Sequence, residues 1–386
     1  MKLLVLALSL AGAVPAPAKP AAAGVGLTPD ELAPAQSSTA SVVLEGAYPA
    51  SLVELHDRFV ESTDDDSRRA GLEEISRAHP RTLRDVKSLF DIFTRFPQNA
   101  VRDAVMASVR RLEPADAALE PAFMEYLKLP ESDARLFGIN GAFRLRSLRA
   151  LPLIEKIAER RFAFKSPGES PILSDKNVWW TQYEALSALA QWQGAQILPL
   201  LRRRAEEAPA VARLMAMYLW KESLPDIVKW AGSRGLGQEL AQEALTASVS
   251  APQLRAARPE MLRLLRDRKA NRELRHQLAL KVGVSSTAEE IDSLLAEQAA
   301  AKDPETQLTF SAALFASRSP KTVPWLKKLS AADPDPQIRL GALMQLRLLL
   351  PAAEVRPLLE GAASHDPDAD NRQSAGELLK AGPPQP

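Results

Sequence analysis

The chain has 386 residues, with 49 Lys+Arg against 48 Asp+Glu and no cysteine. This near-cancellation leaves no whole-protein field to hold nucleic acid, and the missing thiol excludes disulfides, thiolate metal sites and cysteine nucleophiles together. The four histidines, His56, His79, His276 and His365, lie far apart and form neither a His-x-x-x-His nor a His-Glu-x-x-His arrangement.

At the N-terminus Met1-Lys2 leads into an apolar run from Leu3 to Val14. A helix needs about 20 apolar residues to cross a bilayer, so this run is too short. Ala11-Gly12-Ala13 and Ala16-Pro17-Ala18 are cleavage candidates. Residues 1–18 are expected to be a signal peptide, and the protein periplasmic or secreted. Residues 19–46, rich in Ala, Pro, Ser and Thr, carry no helical period and are expected to form a disordered linker. Residues 382–386 are expected to be a disordered tail. Nothing later in the chain reads as a transmembrane segment.

From Tyr48 onward the apolar spacing is helical, starting with Leu52, Leu55, Phe59 and Val60. One phrase recurs, a proline just inside a helix start followed by apolar residues: Leu151-Pro152-Leu153-Ile154, Leu198-Pro199-Leu200-Leu201, Val323-Pro324-Trp325-Leu326 and Arg356-Pro357-Leu358-Leu359. Proline is tolerated there because first-turn N–H groups have no intrahelical partner. A second marker keeps the same beat. Arg69, Arg102 and Arg135 are spaced by 33 residues, as are Arg339 and Arg372. A period of that length signals a repeat array in which each unit is a helix pair. Asp303-Pro304, Asp333-Pro334 and Asp366-Pro367 offer capping oxygens and preset first turns.

The phrase Asp333-Pro334 through Ile338-Arg339 to Ala342, with the Val/Leu-Pro-x-Leu phrases, resembles HEAT repeats, in particular the short bacterial kind related to the HEAT-like units of phycobilisome lyases. The Thr-Pro-Leu-His phrase of ankyrin repeats is missing, and no tetratricopeptide spacing holds in phase. The resemblance implies an all-α protein, a right-handed α-solenoid of about nine to ten two-helix HEAT-like repeats over residues 47–381. It implies no cofactor and a role in binding protein or peptide partners.

Three departures stand out. The beat breaks between Pro152 and Pro199, where residues 162–177 are inserted. Insertions in repeat arrays map to one face, often the binding face, so this loop either binds a partner or packs on its own repeats. Five of the six tryptophans fall within 52 residues directly after it, Trp179, Trp180, Trp192, Trp220 and Trp230. Phe162, Phe164, Trp179, Trp180 and Tyr183 are candidate partner-binding anchors, the alternative being ordinary core. Between Arg255 and Lys281 nine Lys/Arg face only Glu260, Asp267 and Glu273. Arg263, Arg266 and Arg275 are therefore candidates for contact with a polyanion, a membrane surface or other anionic envelope components, the alternative being a solvated helix face. The expectation is an exported, non-catalytic scaffold. A lyase-type enzyme is the remote alternative, with no paired acid–base set to support it.

Overall fold

The structure, a computed structural model, describes residues 52–62, 65–96 and 98–381. The signal peptide, linker and tail expected from the sequence lie outside the described residues. The chain forms two compact units, which meet in sequence at Leu219 and Trp220. Both are built from α-helices and short 3₁₀ turns, with no β-strand among the described residues.

The first unit runs α1 (Leu52–Glu61), α2 (Asp65–Arg77), α3 (Leu83–Arg95), α4 (Asn99–Val109), α5 (Glu120–Lys128) and α6 (Ser132–Arg144). It continues through α7 (Leu151–Ala158), α8 (Leu173–Gln193), α9 (Leu198–Glu207) and α10 (Val211–Tyr218). Even-numbered helices α2 to α10 stack in succession as one layer, and α1, α3, α5 and α7 stack as the other. The second unit runs α11 (Trp220–Ala231), α12 (Leu236–Thr246), α13 (Ala251–Arg266), α14 (Arg272–Val284) and α15 (Ala288–Ala300). It ends with α16 (Pro304–Ala316), α17 (Val323–Ala332), α18 (Pro336–Leu349), α19 (Ala352–His365) and α20 (Ala369–Lys380). Here each odd helix packs on the next even helix, and α12, α14 and α16 stack in turn.

The two sequence markers sort into the two layers. Every proline of the recurring phrase lies on an odd-numbered helix, and every arginine of the 33-residue beat lies on an even-numbered one. Pro121, Pro152, Pro199 and Pro324 sit in the first turn of α5, α7, α9 and α17, each entered from a 3₁₀ turn. Pro225, Pro259 and Pro357 instead lie inside α11, α13 and α19, which begin a turn or more earlier. A 3₁₀ entry suits a residue without an N–H, because the geometry changes where the hydrogen bond is missing.

The even layer is apolar on several sides because it is covered on several sides. In α8 all ten residues from Thr181 to Ala190 are buried. In the first unit an aromatic cluster fills the space between α3, α5 and α6: Phe90, Phe93, Phe123, Tyr126 and Phe137 stack with centroids 4.1–5.8 Å apart.

The capping expectation holds at one start and shifts at two. Asp303 caps α16, accepting from the Thr306 amide. At α18 and α20 the cap is Asp335 and Asp368, not Asp333 and Asp366. The earlier aspartates are drawn into the turn before the helix, where each accepts from the amide two residues on.

Close approach of neighbouring even helices depends on Gly283. A Cβ there would lie 2.1 Å from the Ala313 carbonyl oxygen of α16. Gly283→Ala is expected to force the two helices apart and lower stability by about 2 kcal/mol, overpacking outweighing the helix-propensity gain. A methyl group at Gly361 of α19 would meet nothing within 4 Å. Gly361→Ala should therefore leave stability unchanged or raise it by up to about 1 kcal/mol. Chemical denaturation of the two variants against the parent checks the contrast.

Candidate functional site

Several arginines of the even layer tie one repeat to the next. Arg102 of α4 donates to Asp133 at the start of α6 at 2.6 Å and lies over the Phe93 ring. Arg275 of α14, 1% exposed, donates to the Leu265 carbonyl behind it at 2.9 Å. It also donates forward to Thr306 Oγ1 of α16 at 3.0 Å. Arg339 of α18 donates to the Asp333 carbonyl at 2.8 Å and forms a two-pronged pair with Asp366, at 2.9 and 2.6 Å. Arg372 repeats the backward half, donating to the Asp366 carbonyl at 2.7 Å. The Arg275 and Arg339 forks thus satisfy carbonyls at one helix junction and a side chain at the next, while Arg102 makes the forward half alone and Arg372 the backward half. The Arg339 hydrogen bonds pull the Asp366 carboxyl down to about 2.

The insertion is held down at several points. Phe162 and Trp179 are buried against each other, with centroids 5.3 Å apart, and Trp179 stacks on Tyr183. The Trp179 indole N–H donates to the Phe164 carbonyl at 3.1 Å, and the Phe162 amide donates to Glu207 of α9. Burial opposes ionisation of Glu207, but that amide and the guanidinium groups of Arg204 and Arg161 hold its carboxyl below the usual range. Of the five aromatic candidates, Phe162, Trp179 and Tyr183 are buried, while Phe164 and Trp180 are half-buried. Beside polar residues such as Lys165 and Glu169 the loop presents a large apolar side chain to solvent, Ile172, 56% exposed, and Val178 on α8 is exposed close to it in sequence.

Most of the cations in the basic segment 255–281 are paired or buried. Arg258 meets Glu290 at 3.1 Å, Arg266 meets Glu297, and Arg268 meets Asp303 at 2.7 Å. Arg263 pairs within its own helix with Glu260. Arg275 is buried in the junction described above. Lys281 donates to the Ala247 carbonyl, stands over the Trp220 ring, and is lowered by burial to about 8. Counting charge within the segment overlooks the acids, because they stand one repeat further along.

One buried acid is not anticipated by the sequence motifs. Glu184 lies in the middle of α8, 7% exposed, and its Oε1 has no hydrogen-bond donor. It lines a cavity of about 10 Å³ together with Ile139, Asn140 and Phe143 of α6 and Ser187, Ala188 and Gln191 of its own helix. Gln191 donates its amide to the Ser187 carbonyl, and its Oε1 is likewise buried without a donor. Burial pushes the Glu184 carboxyl up to about 8, which Arg110 of α4 offsets only in part. The one sequence signal is an acid within an otherwise uncharged stretch of α8. Among the described residues no group of three His, Asp or Glu could hold a metal ion, and no helix is long and apolar enough to cross a membrane.

Helices stacked in layers within each unit, several of them tied to their neighbours through buried or half-buried arginines, define a helical-repeat protein. Residues 291–380 match the family of HEAT repeats. Over that stretch the chain carries HEAT repeats, and the match singles out no lyase-type subclass. No curated protein matches the chain.

The Arg339–Asp366 pair, 7% and 3% exposed at its side chains, sets a test of the junctions. Arg339→Met is expected to cost about 3 kcal/mol, because it strands a buried carboxylate. Asp366 titrates near 2 when folded, against about 3.9 unfolded. Its contribution is therefore complete above the unfolded value and is lost as pH falls through 4 toward 2. Urea titrations between pH 2 and 6 should show a shallower acid loss for Asp366→Asn than for the parent.

Proposed function

We propose that the protein is an exported, non-catalytic scaffold that binds a protein or peptide partner through the region around its insertion. Repeat arrays offer long side-chain surfaces and leave specificity to the residues on them. The observation that carries the reading is the insertion at 162–177: it is pinned by Phe162, Trp179 and Glu207, yet keeps Ile172 solvent-exposed. A loop that only filled space would turn its aliphatic residues inward. A held loop loses little entropy on binding, so its exposed contacts go further toward affinity. The buried aromatics serve this role indirectly, by fixing the loop. Export rests on the apolar run at Leu3–Val14 and the Ala-x-Ala sites behind it. The polyanion alternative is weakened, since six of the nine cations of 255–281 pair with acids or are at least half-buried, while Arg255, Lys269 and Arg272 stay exposed.

The experiment is cross-linked capture of partners from the envelope fraction, using the mature protein and two kinds of variant. Ile172→Asp with Val178→Asp should cut capture by more than tenfold while leaving the melting temperature unchanged. Trp179→Ala should lower the melting temperature, since it removes a buried anchor at a cost of about 3 kcal/mol or more. Undiminished capture by the double aspartate variant would place the binding surface elsewhere.

A further inference from the structure

Two acceptor oxygens at the Glu184 cavity receive no donor from any other residue, and the one proton at hand is the carboxyl's own. Buried polar groups are nearly always hydrogen-bonded, and each exception calls for an explanation. Here two exceptions face one space, the Oε1 atoms of Glu184 and Gln191. Gln191 is oriented by its own amide, which donates to the Ser187 carbonyl at 3.3 Å and so leaves the oxygen for the cavity. Ser187 Oγ is engaged with Tyr218 at 3.3 Å, and Asn140 donates to the Leu136 carbonyl at 3.0 Å. The other walls, Ile139, Phe143 and Ala188, are apolar. Acceptors at the base and hydrocarbon on the walls describe a receptor for a small donor carried on an aliphatic stem.

We propose that this cavity receives a primary ammonium group, as a lysine side chain of the partner presents it, with Glu184 and Gln191 as its acceptors. The enclosed volume of about 10 Å³ matches a group the size of one water molecule, which an ammonium is and a guanidinium is not. The methylene stem would leave the cavity past Gln191, the one lining residue that is not fully buried. Only the assignment of the lysine to a protein partner rests on the scaffold reading; the affinity of the cavity for alkylammonium does not.

Protonation links to this binding. No other titratable residue lines the cavity, and the charge that acts on Glu184 across the even layer is Arg110, which forms no ion pair with it among the described residues. At neutral pH the carboxyl, raised to about 8, holds its proton. An ammonium ion entering the cavity therefore releases that proton to solvent as the carboxylate forms. Affinity should rise as pH rises, by about tenfold per unit well below the carboxyl's own titration.

The test is calorimetric titration of the full chain with n-butylammonium chloride at pH 6, 7 and 8, with n-butanol and potassium chloride as controls. The expected result is saturable butylammonium binding that tightens by about tenfold between pH 6 and 7, with proton release seen as a dependence on buffer ionisation heat. Neither control should bind. Glu184→Gln keeps the shape and the uncharged state of the side chain, so it should fold and lose the binding. Gln191→Met, which removes the second acceptor, should weaken it severalfold. Absence of saturable binding at pH 8 would mean that the cavity holds only water, and overturns the inference. So would equal binding of potassium, or undiminished binding by Glu184→Gln. None of these outcomes bears on partner capture by the insertion, which is measured separately.

Discussion

The array depends on a buried arginine that serves two repeats at once. A helix end leaves carbonyls and amides without intrahelical partners, and in a stacked array those ends are covered by the next unit. Arg339 meets this requirement with one side chain: its Nη1 takes the Asp333 carbonyl, and its other edge takes Asp366 of the following repeat. Arg275 does the same work with a threonine hydroxyl as its forward acceptor, and Arg102 makes only the forward contact, to a helix-start aspartate. The planar fork suits the task, because its donors point in fixed directions. Salt bridges of this kind are weak stabilisers when compared with apolar packing. Their effect is to fix the register of one repeat on the next.

At the insertion that link changes form. Gln182 of α8 donates to the Arg161 carbonyl, so an amide takes the backward contact that a guanidinium makes elsewhere. On α6 the beat arginine, Arg135, faces the like charge of Arg160. The loop compensates with its own fastening, in which Trp179, Phe162 and Glu207 replace a charged junction by an aromatic one.

Much of this is legible in the residues and some is not, for physical reasons. The proline and arginine beats are periodic, so they reveal the helix pairs and even the division into two layers. Asp333-Pro334-Asp335-Pro336 contains two possible helix starts, and composition alone does not choose between them; the choice comes from Arg339 needing the earlier turn. The charge of 255–281 reads as a patch because its partners, Glu290, Glu297 and Asp303, are distant in sequence and adjacent in space. The aromatic candidates stand out as a group, yet the burial of Phe162, Trp179 and Tyr183 depends on how the loop returns to α8. Glu184 is visible as an acid among uncharged residues, but its isolation requires knowing that α8 is covered on every side over Thr181–Ala190.

The junctions also bear on how quickly the chain finds its structure. Arg102 reaches a residue 31 positions on, Arg339 one 27 positions on, and Arg266 one 31 positions on. Each tie therefore closes a short loop, and the entropic cost of closure grows only slowly with length. A topology made of such near-neighbour closures has a low contact order, which favours fast folding. A repeat can be secured as soon as its successor leaves the ribosome, without waiting for the far end of the chain.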